Sequence, residues 1–160
     1  MSSLDFKLAM MTARTVNITP RKPVGGVPAF TVEDVRLGVS MIRNPGGFHA
    51  LMSKYCDDDQ STTDLLRRTA AFNMKMWFDN PHLHHVRVSR ATLDRITELS
   101  VLAFLSPSSD RKRGVRGHAA FCGVAPNTWT KHFSRHHKGL VNWLVDIEIE
   151  ALQQLKGYLK

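Results

Sequence analysis

The stretch His118-Ala119-Ala120-Phe121-Cys122-Gly123-Val124-Ala125-Pro126-Asn127-Thr128-Trp129-Thr130-Lys131-His132-Phe133 carries the spacing of a helix-turn-helix. Ala119 is small where two helices must cross closely, and Gly123 supplies the turn. Val124, Trp129 and Phe133 fall where the second helix buries its inner face. That register leaves Asn127, Thr128, Thr130, Lys131 and Arg135 on the outer face. A pattern this short also fits an ordinary helical hairpin with a solvated polar face, so its surroundings matter.

Between residues 111 and 138 there are seven Lys or Arg (Arg111, Lys112, Arg113, Arg116, Lys131, Arg135, Lys138) and no Asp or Glu. Nearly all of the chain's formal charge of +8 therefore sits in this one stretch. A duplex carries dense phosphate charge, and basic side chains that displace its counterions gain affinity whatever the base sequence. A charge run is often only solvated surface. This one flanks a turn signal and is interleaved with Trp129, Phe133 and the histidines 118, 132, 136 and 137, which favours a nucleic-acid surface.

A chain of 160 residues suffices for one well-cored domain with an arm. There is no apolar run of about 18 residues to span a membrane, and no charged segment followed by an apolar one with a cleavage site. The expectation is a cytoplasmic protein without a membrane partner. Cys56 and Cys122 fall in separate predicted helices without CxxC spacing, so they read as thiols in a reducing compartment and not as a disulfide or a zinc site.

Residues 1–30 have weak periodicity, three prolines (Pro20, Pro23, Pro28) and a net charge of +3, from four bases and one acid, and read as a flexible or extended arm. The helical domain is expected over 31–160. Thr31-x-x-Asp34 resembles a capping box before Val35, Val39 and Ile42, and Asn44-Pro45-Gly46-Gly47 ends that helix. Phe48, Leu51, Met52 and Tyr55 mark a second, ending near Asp57-Asp58-Asp59, three carboxylates read as helix-terminal charge or a solvated loop. Ser61-x-x-Asp64 opens a long helix with Leu65, Thr69, Phe72 and Met76 beside Leu66, Ala70, Asn73 and Trp77, closed by Asn80-Pro81. His82, His84 and His85 follow in a polar turn without a fourth ligand at metal spacing. A further helix runs from about Ser89 to Leu105, burying Leu93, Ile96, Leu99 and Ala103. The helix-turn-helix is placed at about 113–138. Gly139 reads as a break before a long C-terminal helix at about 139–159, striped by Leu140, Leu144, Ile147, Ala151, Leu155 and Leu159. No strand-like alternation occurs, so the expected fold is all-α, with about seven helices.

In order along the chain, Thr31-Val32-Glu33-Asp34-Val35, the helix through Gly38 and Met41, Pro45-Gly46-Gly47-Phe48, Asp79-Asn80-Pro81-His82-Leu83, Leu102-Ala103-Phe104, Ala125-Pro126-Asn127-Thr128-Trp129-Thr130 and the closing acidic helix with Asp146, Glu148 and Glu150 form a series. From about Phe30 onward this series resembles the lambda-type Q family of bacteriophage late-gene antitermination proteins. The better-known members carry an insertion with two CxxC pairs, read as a zinc module, between the Ala-Phe helix and the helix-turn-helix. This chain has only Ser106 to Gly117 there, read as a loop begun by the Ser106-Pro107-Ser108-Ser109 break, so that zinc is not carried over, and the charge of Arg111, Lys112, Arg113 and Arg116 is read as doing the phosphate work in its place.

The resemblance implies a protein that binds double-stranded DNA at a phage late promoter, joins paused host RNA polymerase, and travels with the elongation complex past pauses and terminators. Nascent RNA near the exit channel is a further candidate contact. Residues 31–60 sum to −2, from five acids and three bases, and the Met-rich N-terminal half that contains this acidic segment is a candidate polymerase surface. The expected DNA-binding set is Arg111, Lys112, Arg113, Arg116, Asn127, Thr128, Thr130, Lys131 and Arg135, with no catalytic residue, metal ligand or cofactor. Two alternatives stay open. One is a helix-turn-helix repressor or activator without antitermination activity, normally a dimer reading half-sites about 34 Å apart. The other is a metal-dependent nuclease drawing on His84, His85, His136 or His137 together with carboxylates.

Overall fold

The computed structural model describes residues 32–158, in which every regular element is helical, so the chain is all-α. The order is α1 (Val32–Ser40), α2 (Pro45–Cys56), α3 (Asp59–Asp79), a 3₁₀ turn (Pro81–Leu83), α4 (Arg90–Leu105) and α5 (Pro107–Cys122). A single helical turn, α6 (Pro126–Thr128), a π-helical turn (Trp129–Phe133) and α7 (Ser134–Tyr158) then follow one another without interruption. The expected arm over 1–30, the Thr31 cap and Leu159 lie outside the described residues.

Local chemistry accounts for the boundaries. Asn44 adopts extended backbone and its side-chain oxygen accepts from the Gly46 N–H at 2.9 Å, with Pro45 at the first helical position, where a missing N–H costs nothing. Asp57, at φ 49° and ψ 39°, closes α2 in the left-handed region. Asp58 then opens α3: its carboxylate accepts from the Ser61 N–H at 3.1 Å. The sequence expectation that Ser61 caps this helix is therefore corrected by three residues. Ser61 is buried, and its hydroxyl lies 3.1 Å from His49 Nδ1. Two of the three consecutive carboxylates thus terminate one helix and start the next. Ser89 caps α4 by accepting from Thr92 N–H at 3.1 Å, and the Ser106 N–H returns to Leu102 O at 2.8 Å at its other end.

The described residues divide into two compact units, one of those up to Ser61 with those from Ile147 onward, the other of Thr62–Asp146. The first packs Val39, Ile42, Leu51, Cys56, Ala151 and Leu155. Here α2 and α7 approach so closely that a Cβ on Gly47 would lie 2.8 Å from that of Ala151. Beside this contact the buried Glu148 carboxylate accepts from Lys54 Nζ at 2.8 Å and from the Tyr55 hydroxyl at 2.6 Å, the pairing that makes a buried charge tolerable. Burial, followed by the Glu148 carboxylate, pushes the Tyr55 hydroxyl well above its ordinary pKa.

The second unit packs Trp77, Leu83, Leu93, Ile96, Leu99, Ala119, Cys122, Trp129, Phe133 and Leu140 into one core. Phe72 stacks on Trp143 at 4.2 Å between ring centroids. Two sequence expectations are corrected in this unit. Gly139 does not break the chain, because α7 runs through it; a Cβ there would sit 2.9 Å from Met76 Cε, so the glycine makes room for a neighbouring side chain instead of a turn. The segment after Ser106 is likewise helical rather than a loop, interrupted only at Gly114, whose φ of 63° and ψ of −175° belong to a region that essentially only glycine occupies.

Candidate nucleic-acid interface

The connection between α5 and α6 is a helix-ending motif that requires glycine. Gly123 sits at φ 69° and ψ 32°, its N–H bonds Ala120 O at 3.2 Å, and the Val124 N–H reaches back to Ala119 O at 3.0 Å. Ala125 and Pro126 then start the next helix. Ala119 is fully buried at the helix crossing, and of the three positions assigned to the inner face by spacing, Trp129 and Phe133 are buried, at 1% and 2% exposed. Val124 packs half-buried on the same core.

The π turn adds one residue to the helix where these aromatics sit. It keeps Trp129 and Phe133, four apart, both on the core side, and α7 continues with Leu140 and Leu144 buried in turn. On the other side Asn127, Lys131, Arg135 and Lys138 are exposed, at intervals of four, four and three residues, so they run along one face of the continuous helix. Thr130 is exposed with its hydroxyl donated to Pro126 O at 3.1 Å, and Thr128 is half-buried.

On α5, Arg111, Lys112 and Arg116 are exposed. Arg113 is not: it is half-buried over the Phe121 ring, with the guanidinium carbon 5.0 Å from the ring centroid and Nη1 enclosed without a hydrogen-bond partner among the described residues. Arg113 therefore leaves the set of side chains available to phosphate. The exposed cations of the 111–138 stretch are Arg111, Lys112, Arg116, Lys131, Arg135 and Lys138, six groups with no carboxylate among them.

Behind this surface lies a buried polar network that sequence spacing did not reveal. Asn73, 1% exposed on α3, donates from Nδ2 to Leu93 O and Thr97 Oγ1, both at 3.0 Å, which leaves its Oδ1 to accept from His136 Nε2. Ser100, fully buried on α4, donates to Ile96 O at 2.7 Å and so accepts from His137 Nδ1 at 2.9 Å. That bond places the His137 proton on Nδ1 and leaves Nε2 as a lone pair. Burial lowers the pKa of both His136 and His137 to about 4, so both rings are neutral at pH 7. Ser100 and His137 have the residue types of a nucleophile and its base. With the hydroxyl proton on Ile96 O and no exposure, Ser100 has no route to a substrate.

His137 also faces His118, at 5.3 Å between ring centroids, and Trp129, at 5.5 Å. His118 Nε2 is 2.7 Å from Asp110 Oδ1. The structure thus gathers one ligating atom from each of Asp110, His118 and His137 within 4.8 Å of one another. The three residues come from α5 before the Gly114 break, α5 after it, and α7. His84 and His85, exposed on the turn after α3, are not part of this group.

In comparisons with protein-family models, with curated proteins and with solved structures, nothing matches this chain. Among the described residues no helix is long and apolar enough to cross a membrane.

Proposed function

We propose that this chain binds double-stranded DNA through α5, α6 and the start of α7, and acts as a phage-type late-gene transcription antitermination factor that transfers from DNA to the elongating RNA polymerase of the host. The observation that carries the DNA-binding part is the unopposed charge: six exposed cations between residues 111 and 138 with no acid in that stretch. Each phosphate neutralised by such a group releases condensed counterions, so this surface gains affinity for any duplex. Exposed Asn127, at the start of α6 on the same face as Lys131, supplies a side chain able to bond adenine at two points and so to add base preference.

The antitermination part rests on the order of sequence features shared with the lambda-type Q family. A factor that leaves its DNA site and rides polymerase needs a second surface, and the first unit offers one: Leu37 and Met41, one helical turn apart at the α1 end, are 63% and 47% exposed. Met52, Met74 and Met76 are partly buried against the two cores and offer less area.

The deciding experiment is transcription in vitro from a late-type promoter through a terminator, with and without the protein, alongside binding to the same promoter DNA. Read-through that rises with protein supports the whole reading. Binding without any change in read-through reduces it to a repressor or activator. The absence of salt-dependent DNA binding removes it altogether.

A further inference from the structure

We propose that Asp110, His118 and His137 form a binding site for one divalent first-row transition-metal ion, with zinc the best match to the donors. Two imidazoles and one carboxylate suit zinc and its neighbours in the series, whereas calcium and magnesium take oxygen donors throughout. Three protein ligands leave a fourth position for water, and the side chains of His118 and Asp110 are 14% and 19% exposed, which gives solvent and ion access from that side.

The surroundings are those a metal site requires. Ser100 Oγ holds the Nδ1 proton of His137, so that ring presents Nε2 as a lone pair with its orientation fixed by a fully buried hydroxyl. Trp129 lies against both imidazoles, at 5.6 Å from His118 and 5.5 Å from His137, and walls the site on its core side. Donors on one tetrahedral ion with bonds of about 2.0–2.2 Å stand roughly 3.3–3.5 Å apart. The present donors lie within 4.8 Å of one another, and His118 and Asp110 touch at 2.7 Å. Rotation of these two partly exposed side chains closes that difference, with His118 in the tautomer that leaves its ligating nitrogen unprotonated.

The ligands straddle the Gly114 break. Asp110 lies before it, His118 after it, and His137 belongs to α7. A bound ion therefore ties the short helical segment that carries Arg111 and Lys112 to the rest of the second unit. Where the DNA-binding reading holds, metal occupancy sets the position of those two cations; that consequence rests on the reading, while the site itself does not.

The test uses the full chain, stripped with EDTA and titrated with Zn(II) by calorimetry and with Co(II) by visible absorption, in the absence of DNA. We expect one equivalent bound and the intense visible bands of four-coordinate Co(II). Asp110→Asn and His118→Gln should each weaken Zn(II) at least tenfold, and Ser100→Ala by about 10–100-fold. A triple His82→Gln, His84→Gln, His85→Gln chain should bind as the parent does. Because a ligand variant that fails to fold would be uninformative, the parent chain is also followed by histidine NMR, where Zn(II) should shift the His118 and His137 ring signals and spare those of His82, His84 and His85. Undiminished binding in a folded Asp110→Asn, His118→Gln double variant, shifts confined to the turn histidines, or no uptake of either ion would overturn the proposal. DNA affinity, measured separately with and without Zn(II), reports on the interface and leaves this outcome untouched.

Discussion

Arg113 folds back across Gly117 so that its guanidinium carbon rests 5.0 Å from the centroid of the Phe121 ring, a path that a side chain at 117 would block by colliding with Arg113 Cγ. The contact divides a run of four neighbouring cations into two kinds. Arg111, Lys112 and Arg116 face solvent, and Arg113 is part of the packing. Their substitutions should therefore differ in what they change.

Replacing Arg111, Lys112 or Arg116 by Ala should lower the slope of log K against log salt by about one unit each and weaken binding to all duplex sequences alike. Arg113→Ala should leave that slope unchanged and instead lower stability, by about 1 kcal/mol for the lost cation–aromatic contact and covered stem. Fluorescence anisotropy at several salt concentrations, with urea unfolding of the same proteins, checks both halves. An unchanged slope in the Arg111, Lys112, Arg116 triple Ala variant would remove α5 from the interface.

Asn127→Ala should relax base preference while sparing affinity for random DNA, because Asn127 is exposed at the start of α6 and loss of a two-point contact to a base costs about 1–3 kcal/mol of discrimination. Competition between a selected site and random duplex measures the ratio. Equal loss on both would make Asn127 a residue that positions the backbone.

Leu37→Asp and Met41→Asp should abolish read-through with promoter affinity intact, since Leu37 on α1 and Met41 just after its end are both exposed and neither belongs to the cationic stretch. Paired binding and transcription assays on the same preparations decide this. If every substitution that impairs read-through also lowers DNA affinity, the repressor or activator reading gains and the transfer to polymerase fails.

Burial pushes the Cys122 thiol up to about 11, opposed by the nearby Arg95 and Arg113 charges. The unfolded chain's thiol ionises near 9, so between pH 9 and 11 the unfolded state gives up its proton first. The stability this group contributes is complete below about 9 and is lost as pH rises toward 11, on the order of 2–3 kcal/mol in all. Urea unfolding across that range should show a steeper decline for the parent than for Cys122→Ala, which isolates this thiol from other groups titrating there. Parallel curves would show that the thiol contributes nothing to the pH dependence.

Sequence periodicity disclosed the helices because burial recurs at helical spacing: Leu93, Ile96, Leu99 and Ala103 on α4, and Leu140, Leu144, Ile147, Ala151 and Leu155 on α7, are all buried as their positions require. Glycine was the unreliable sign. Gly123 makes a turn with positive φ, Gly114 breaks a helix, and Gly139 sits inside one where Met76 leaves no room for a Cβ. One residue type answers three different demands, and only tertiary packing separates them. The basic face was legible as charge, yet the inward turn of Arg113 depended on Gly117 and Phe121 at spacings of four that any helix contains. The donors at 110, 118 and 137 were hidden for a simpler reason: they are eight and nineteen residues apart, and no local pattern brings α5 and α7 together at those points.

The π turn at Trp129–Phe133 gives this helix one place where its length can change by a residue. An α-helix advances about 100° per residue, and the wide turn takes up one extra residue without that rotation, so removing one residue here would restore regular winding with the segments on either side still facing as they do. Trp129 and Phe133 are buried, which leaves the exposed Thr130 and Lys131 as the residues that could go. Loss of a residue elsewhere along the helix would instead turn Asn127 by about 100° against α7, so the direction of the leading edge is protected at this turn and nowhere else along it.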